Sequence, residues 1–383
     1  MRWLGLALAT LIAVGAYIFY GVLPQRFDRT HNVVLEHAPY AVSERARTLH
    51  ATIPVADLHA DTLLWRRDPA RRQQRGQTDL VRLREGGVAL QVFTAVTKTP
   101  PDLNYDENSA DKDSLTLLTI AQAWPVRTWT SIYERADFQA RCLTKLEQDA
   151  PDDFVFARTA GDLQAALDAG RLAGVYGVEG AHPFEGDLGN IDRLYDEGLR
   201  VVGLQHFFDN DLGGSLHGQT GAGLTEFGRA AVEKAVSMSM IIDVAHSSEV
   251  VVRDVLALTS KPVIVSHTGL KGHCDSARNI SDETMKMVAD AGGLVGVGFW
   301  DGAVCPPDLP SVAGAIVYAV DLLGADHVAL GSDFDGTVTT MLDASELPAL
   351  TQALLDAGLD DGVIRAVMGE NAVRFFLENL PSG

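Results

Sequence analysis

The sequence predicts an α/β chain folded as a closed (β/α)8 barrel of the TIM type, with a helical insertion after the second strand and an amino-terminal transmembrane helix. Eight short apolar, β-rich runs recur along the chain. Most are separated by segments with apolar residues at i, i+3 and i+4. Side chains able to hold a metal stand where these runs stop. Alternating strands and helices imply parallel sheet, and eight such units favour closure over an open sheet.

The elements follow in order. Residues 3–23 carry no charged side chain. At about 1.5 Å rise per residue, a helix of that length crosses a hydrocarbon core of roughly 30 Å. Positive charge before it, at Met1 and Arg2, faces Arg26 and Arg29 after it, partly offset by Asp28, so the orientation signal is weak. An uncleaved anchor and a cleaved signal peptide are the two readings. The anchor is favoured, because cleavage at the poor site Ala13-Val14-Gly15 would leave AYIFYGVL exposed. Either way the protein is expected to be membrane-attached, with its catalytic part periplasmic or extracellular. Residues 1–26 form this segment and its flank, 27–52 a connector with a short helix at SERARTLHA, and 53–383 the catalytic barrel.

The β-like runs are 53–58, 88–96, 172–178, 199–205, 240–245, 262–266, 293–299 and 327–331. Between them lie helical patterns such as TEFGRAAVEKAVSMS, SSEVVVRDVLALT, SDETMKMVADAG and PSVAGAIVYAVDLLG. Residues 97–160 make the second-to-third connection much longer than the others, with a helical stretch at 114–147 read as a lid or flank over the barrel. Residues 346–380 are read as two short closing helices. The formal charge of −20 and the lack of a basic stripe argue against nucleic acid. Cys142, Cys274 and Cys305 show no CxxC spacing, leaving one bridge plus one free thiol, or three buried thiols, as equal readings.

His59 and Asp61 end the first run, two residues apart and on one face of an extended segment. Glu179 follows LAGVYGV directly, where a carboxylate is costly unless it is paired or coordinates a cation. His246 and His267 end the fifth and sixth runs. Imidazole nitrogen and carboxylate oxygen both suit zinc. Together these residues predict two zinc ions per chain with Glu179 bridging them, generating a bridging hydroxide near neutral pH. Asp333 in LGSDFDG is placed as the general base, with Asp335 beside it read as a turn residue. His206, without a partner at ligand spacing, is assigned to the developing oxyanion. Arg278 offers a guanidinium fork for a substrate carboxylate, or else a surface ion pair with Asp275 or Asp282. His182 and His217 fall in rim loops without an assigned role.

At these residues the chain resembles the membrane (renal) dipeptidase family of zinc peptidases. The likeness runs from about residue 54 to 376, through DLHADTLL, GVEGAH, GLQHFFDNDLGGS, GLTEFG, IIDVAHSS, PVIVSHTG, ARNISDE, LGSDFDG and GENAVRFF in fixed order. It implies that His59, Asp61 and Glu179 hold one zinc, and Glu179, His246 and His267 the other. It further implies that His206 contacts the substrate carbonyl, Arg278 its carboxylate, and that Asp333 is the catalytic acid/base. Dipeptides, including those with a D-residue second, are the implied substrates, and a homodimer the implied assembly. In GLVGVGFWDG, Trp300 stands where renal-type enzymes carry a substrate-touching tyrosine. An indole donates but cannot accept, which changes that contact. The competing enzyme reading is an N-acyl-amino-acid deacylase or lactonase using the same metals.

Overall fold

The computed structural model describes residues 2–382; Met1 and Gly383, which the predicted anchor and barrel segments include, lie outside them. Eight parallel strands close on one another: β1 (Val55–Ala60), β2 (Val88–Val96), β3 (Leu172–Glu179), β4 (Leu199–Gly203), β5 (Ile241–Asp243), β6 (Ile264–Thr268), β7 (Leu294–Val297) and β8 (Val328–Leu330). Each pairs with its neighbour in sequence, and β8 returns to β1 through Leu330 and Asp57. Every one of the eight predicted runs supplies one barrel strand. Several strands are shorter than their run: β4 stops at Gly203, two residues before the predicted end.

Parallel strands covered on both faces need apolar side chains on both. One buried cluster draws on all eight strands, including Leu58, Val92, Val175, Val201, Ile241, Ile264, Leu294 and Ala329, and therefore fills the barrel interior. Phe376 of the last helix, Asn371–Asn379, packs into this cluster beside residues near the strand starts, which closes the end opposite the carboxyl rim. A second cluster joins the outward faces to the surrounding helices. Those helices start where the sequence supplies an amino-cap oxygen: Thr225, Ser248 and Ser281 accept from backbone N–H groups of their first turns.

Three features differ from the sequence expectation. The long connection splits in function: helix Ile132–Asp149 packs against the barrel flank, where Tyr176 donates to Ala136 O at 2.7 Å, while the loop before it reaches the mouth. A strand at Phe154–Phe156 pairs with the start of β3, on the edge that β4 takes further along. At three residues it is too short to leave a periodic signal. The closing segment contains three α-helical pieces, Leu347–Asp356, Asp361–Arg365 and Asn371–Asn379, rather than two.

The amino-terminal helix is long and apolar enough to cross a membrane over Trp3–His31. It continues five residues past the boundary expected at 26 before giving way to a two-residue strand, Val33–Val34, paired in parallel with Thr339–Thr340. Asp28, buried in the last turns of that helix, meets Arg75 Nε at 2.6 Å and Arg67 Nε at 3.4 Å. Cys274 and Cys305 form a disulfide, and Cys142 is the free thiol, which selects one of the two readings left open by the sequence.

Candidate metal and active site

The site lies at the carboxyl ends of the strands, where a parallel barrel concentrates its chemistry. His59 is the penultimate residue of β1, Glu179 the last of β3, and His267 the penultimate of β6. His206, His246 and Asp333 each come three residues after their strands, in loops that turn back over the rim. All are buried, the most open being Asp333 at 7% exposure.

Glu179 is the meeting point. Its Oε1 lies 3.1 Å from His246 Nε2, 3.3 Å from His267 Nε2 and 3.5 Å from His59 Nε2. Its other oxygen is 3.3 Å from His206 Nε2. Asp61 Oδ1 is 3.5 Å from His59 Nε2, and Asp333 Oδ1 4.0 Å. His59, Asp61 and Glu179 form one group with ligand atoms within 4.8 Å of one another; Glu179, His206 and His246 form another, and His59, His267 and Asp333 a third. In sequence His206 has no partner at ligand spacing; folding brings it against the free oxygen of Glu179.

A layer the sequence did not reveal sets the imidazoles. Ser266 donates its hydroxyl to Asp243 Oδ2 at 2.6 Å and sits 3.1 Å from His59 Nδ1 and 2.9 Å from His267 Nδ1. With its proton committed to the carboxylate, the hydroxyl can only accept from both rings. Each Nδ1 then carries a hydrogen, so each ring, once its Nε2 is deprotonated, turns that lone pair toward Glu179. Thr94 similarly donates to Asp61 Oδ1 at 2.6 Å. His246 Nε2 and His267 Nε2 stand only 3.0 Å apart. Two imidazole nitrogens and a carboxylate oxygen converging this closely, with His267 oriented from behind by Ser266, are the donor set a divalent cation takes. The residues fit a metal.

The electrostatics agree. Burial, reinforced by Asp61, holds Glu179 well above the usual carboxylate range. Burial also pushes Asp333 up to about 8, with His59 opposing. Burial works against charge on His59, yet Glu179, Asp61 and Asp333 outweigh it and push the ring up to about 10. Burial brings His206 down to about 3 and depresses His246 and His267 as well. Crowded acids that hold protons, and a His59 ring held cationic among them, describe a site short of positive charge, while His206, His246 and His267 stay neutral.

Arg278 is 1% exposed and forms no ion pair with Asp275 or Asp282 among the described residues. Its donors reach His267 O at 3.0 Å and Ala245 O at 3.3 Å, and its guanidinium carbon lies 5.2 Å from the Trp300 ring. Trp300 is equally buried and donates through Nε1 to Tyr105 Oη at 3.0 Å. A cleft with roughly 580 Å³ of free space is lined by Glu179, His206, Arg278, Trp300, Asp333 and Tyr105, among others. Asp335 is not a plain turn residue: fully buried, it meets Arg67 at 2.9 Å and accepts from Thr78 Oγ1 at 2.7 Å. His182 stacks on Phe208 with centroids 4.7 Å apart, and His217 is fully buried behind Phe207.

Known proteins resemble this chain along most of its length. The membrane dipeptidase family model (Peptidase family M19) matches residues 43–379. Dipeptidase ataJ of Aspergillus terreus is 28% identical over 378 residues, covering 89% of this chain and 87% of its own. A metallo peptidase from Rhodobacter sphaeroides, solved with a phosphinate mimic of the dipeptide L-Ala-D-Ala, is 26% identical, with a TM-score of 0.71 over 86% of this chain and 99% of that one. The probable dipeptidase PvdM from Pseudomonas aeruginosa shares the fold at a TM-score of 0.74 and 22% identity, covering 88% and 98% of the two chains. With the barrel, the metal-ready cluster and a family match spanning both, this chain belongs to the membrane dipeptidase family, Peptidase family M19, and is a metallo-dipeptidase.

Proposed function

We propose that the chain is a two-zinc dipeptidase, held at a membrane by its amino-terminal helix, that cleaves small dipeptides outside the cytoplasm, including those ending in a D-residue. The observation that carries this reading is Glu179 Oε1, reached by three Nε2 atoms at 3.1, 3.3 and 3.5 Å at the barrel mouth. His59, Asp61 and Glu179 would hold one ion, and Glu179, His246 and His267 the other. When bound, the pair supplies Lewis acidity to the scissile carbonyl and lowers the pKa of a water toward neutral.

The chain's own residues do the rest. His206, kept neutral by burial, donates a ring N–H to the carbonyl oxygen as negative charge develops there. Arg278 binds the free carboxylate of the second residue; its dry, ion-pair-free position favours a bidentate anion. Asp333 accepts the proton of the attacking water and delivers it to the leaving amine. The likeness to a peptidase solved with an L-Ala-D-Ala mimic supports tolerance of a D-residue. The Cys274–Cys305 bridge supports an oxidising compartment.

The test is release of alanine from L-Ala-L-Ala, L-Ala-D-Ala and N-acetyl-L-Ala, with and without a chelator. Chelator-sensitive turnover of both dipeptides and little of the acylated substrate is expected. Preference for N-acetyl-L-Ala would turn the assignment to a deacylase, and no metal-dependent release from any dipeptide would overturn it.

A further inference from the structure

Tyr105 belongs to none of the motifs singled out in the sequence. It sits in the loop that leaves β2 for helix Leu115–Ala121. Its backbone carbonyl accepts from His217 Nδ1 at 2.8 Å, and Asn108 N donates to His217 O at 2.8 Å, so the loop is latched to the rim from two sides. The ring stacks on Phe207 at 6.0 Å with 25° between planes. Trp300 Nε1 is 3.0 Å from the phenolic oxygen, and an indole can only donate. The phenol is thereby the acceptor in that contact, and its own proton is left for the cleft that Tyr105 lines with Arg278 and Asp333. Burial raises the phenol's pKa, so the proton stays in place at neutral pH. Arg278 packs 5.2 Å from the same Trp300 ring. A cationic fork and a neutral hydroxyl donor thus flank one indole.

We propose that Tyr105 is a substrate-positioning residue whose hydroxyl donates to the same free carboxylate that Arg278 binds, making the loop at 97–113 a determinant of specificity for substrates ending in a free acid. This rests on the dipeptidase reading and adds to it a recognition group from outside the barrel strands. Trp300 aims the hydroxyl and does not itself accept from substrate.

Tyr105→Phe removes one oxygen and keeps the ring against Phe207, so the experiment compares KM and kcat of the full-length, metal-loaded enzyme on L-Ala-L-Ala and on L-alanyl-L-alaninamide. A hydrogen bond to a charged group predicts a KM on the free acid raised about ten-fold or more, with kcat changed by less than about two-fold. On the amide, which lacks the carboxylate, wild type and variant should be equal. Trp300→Phe should raise KM on the acid less, and should add nothing in the Tyr105→Phe background. An unchanged KM on the acid, or an equal loss on acid and amide, overturns the role of Tyr105. Wild-type enzyme inactive on every dipeptide would instead sink the dipeptidase reading, and this proposal with it.

Discussion

Asp333 occupies a left-handed backbone conformation at φ 60°, a region an aspartate tolerates better than most residues. Its carboxylate Oδ1 would lie 2.0 Å from a Cβ added at Gly336. Gly336→Ala must therefore push the proton carrier aside by about 1 Å or more, and a misplacement of that size predicts a kcat lower by at least about ten-fold. Metal content, read by elemental analysis, should not change. Asp333→Asn keeps the shape and removes the base: steady-state kinetics should show turnover down by about 10²–10⁴-fold with metal retained. Unchanged turnover would dismiss Asp333 from proton transfer. These residues were legible because an ionisable side chain directly after an apolar strand is expensive without a purpose. Ser266, Asp243 and Thr94 were not legible. Serine, threonine and aspartate at strand positions carry no spacing that separates an outer hydrogen-bonding partner from an ordinary turn. Tyr105 reaches the cleft only through loop packing, which no local pattern encodes.

At the scale of elements, the loop after β8 holds three non-glycine residues at positive φ: Asp333 at 60°, Asp335 at 65° and Thr337 at 62°. For a β-branched threonine this is strained, and strain persists only where surroundings over-determine it. They do so here from a distance. Asn32 Oδ1 accepts from Thr337 N at 2.9 Å, Gln77 N donates to Asp335 Oδ1 at 2.7 Å, and Val33–Val34 pairs with the segment just beyond. The connector, read from the sequence only as a link with a short helix, braces the active-site rim. Asn32→Ala removes that acceptor and its own bond to Asp28 at 2.9 Å. It should destabilise the fold by about 1–3 kcal/mol in denaturant titration and lower kcat/KM. Retained kcat/KM would show that the brace does not reach the chemistry. Sequence patterns recovered all eight barrel strands because both-face burial demands continuous apolar runs. The brace escaped them because it joins residues about 300 apart through one side-chain hydrogen bond and a two-residue strand pair.

At the scale of the molecule, the exposed apolar helix and the buried cation-seeking cluster are separate properties joined through Asp28 and its two arginines. Residues 3–18 make no buried contact with the barrel. Deleting residues 1–18 should move the protein from the membrane fraction to the soluble one while leaving its melting temperature unchanged. The cluster predicts a proton linkage whose sign follows from the raised values. With His59 up at about 10 and Asp333 at about 8, the metal-free site holds protons at neutral pH that a cation must displace. Zinc binding should therefore release protons, seen as buffer-dependent heats in titration calorimetry, and affinity should rise with pH. Heats independent of the buffer would contradict this. The most direct measurement is a zinc titration of metal-stripped enzyme with L-Ala-L-Ala hydrolysis as the readout. Activity should climb to a break at two ions per chain, with that break lost in Glu179→Gln. Full activity without metal, or the same two-ion break in Glu179→Gln, would contradict a shared glutamate at the heart of the site.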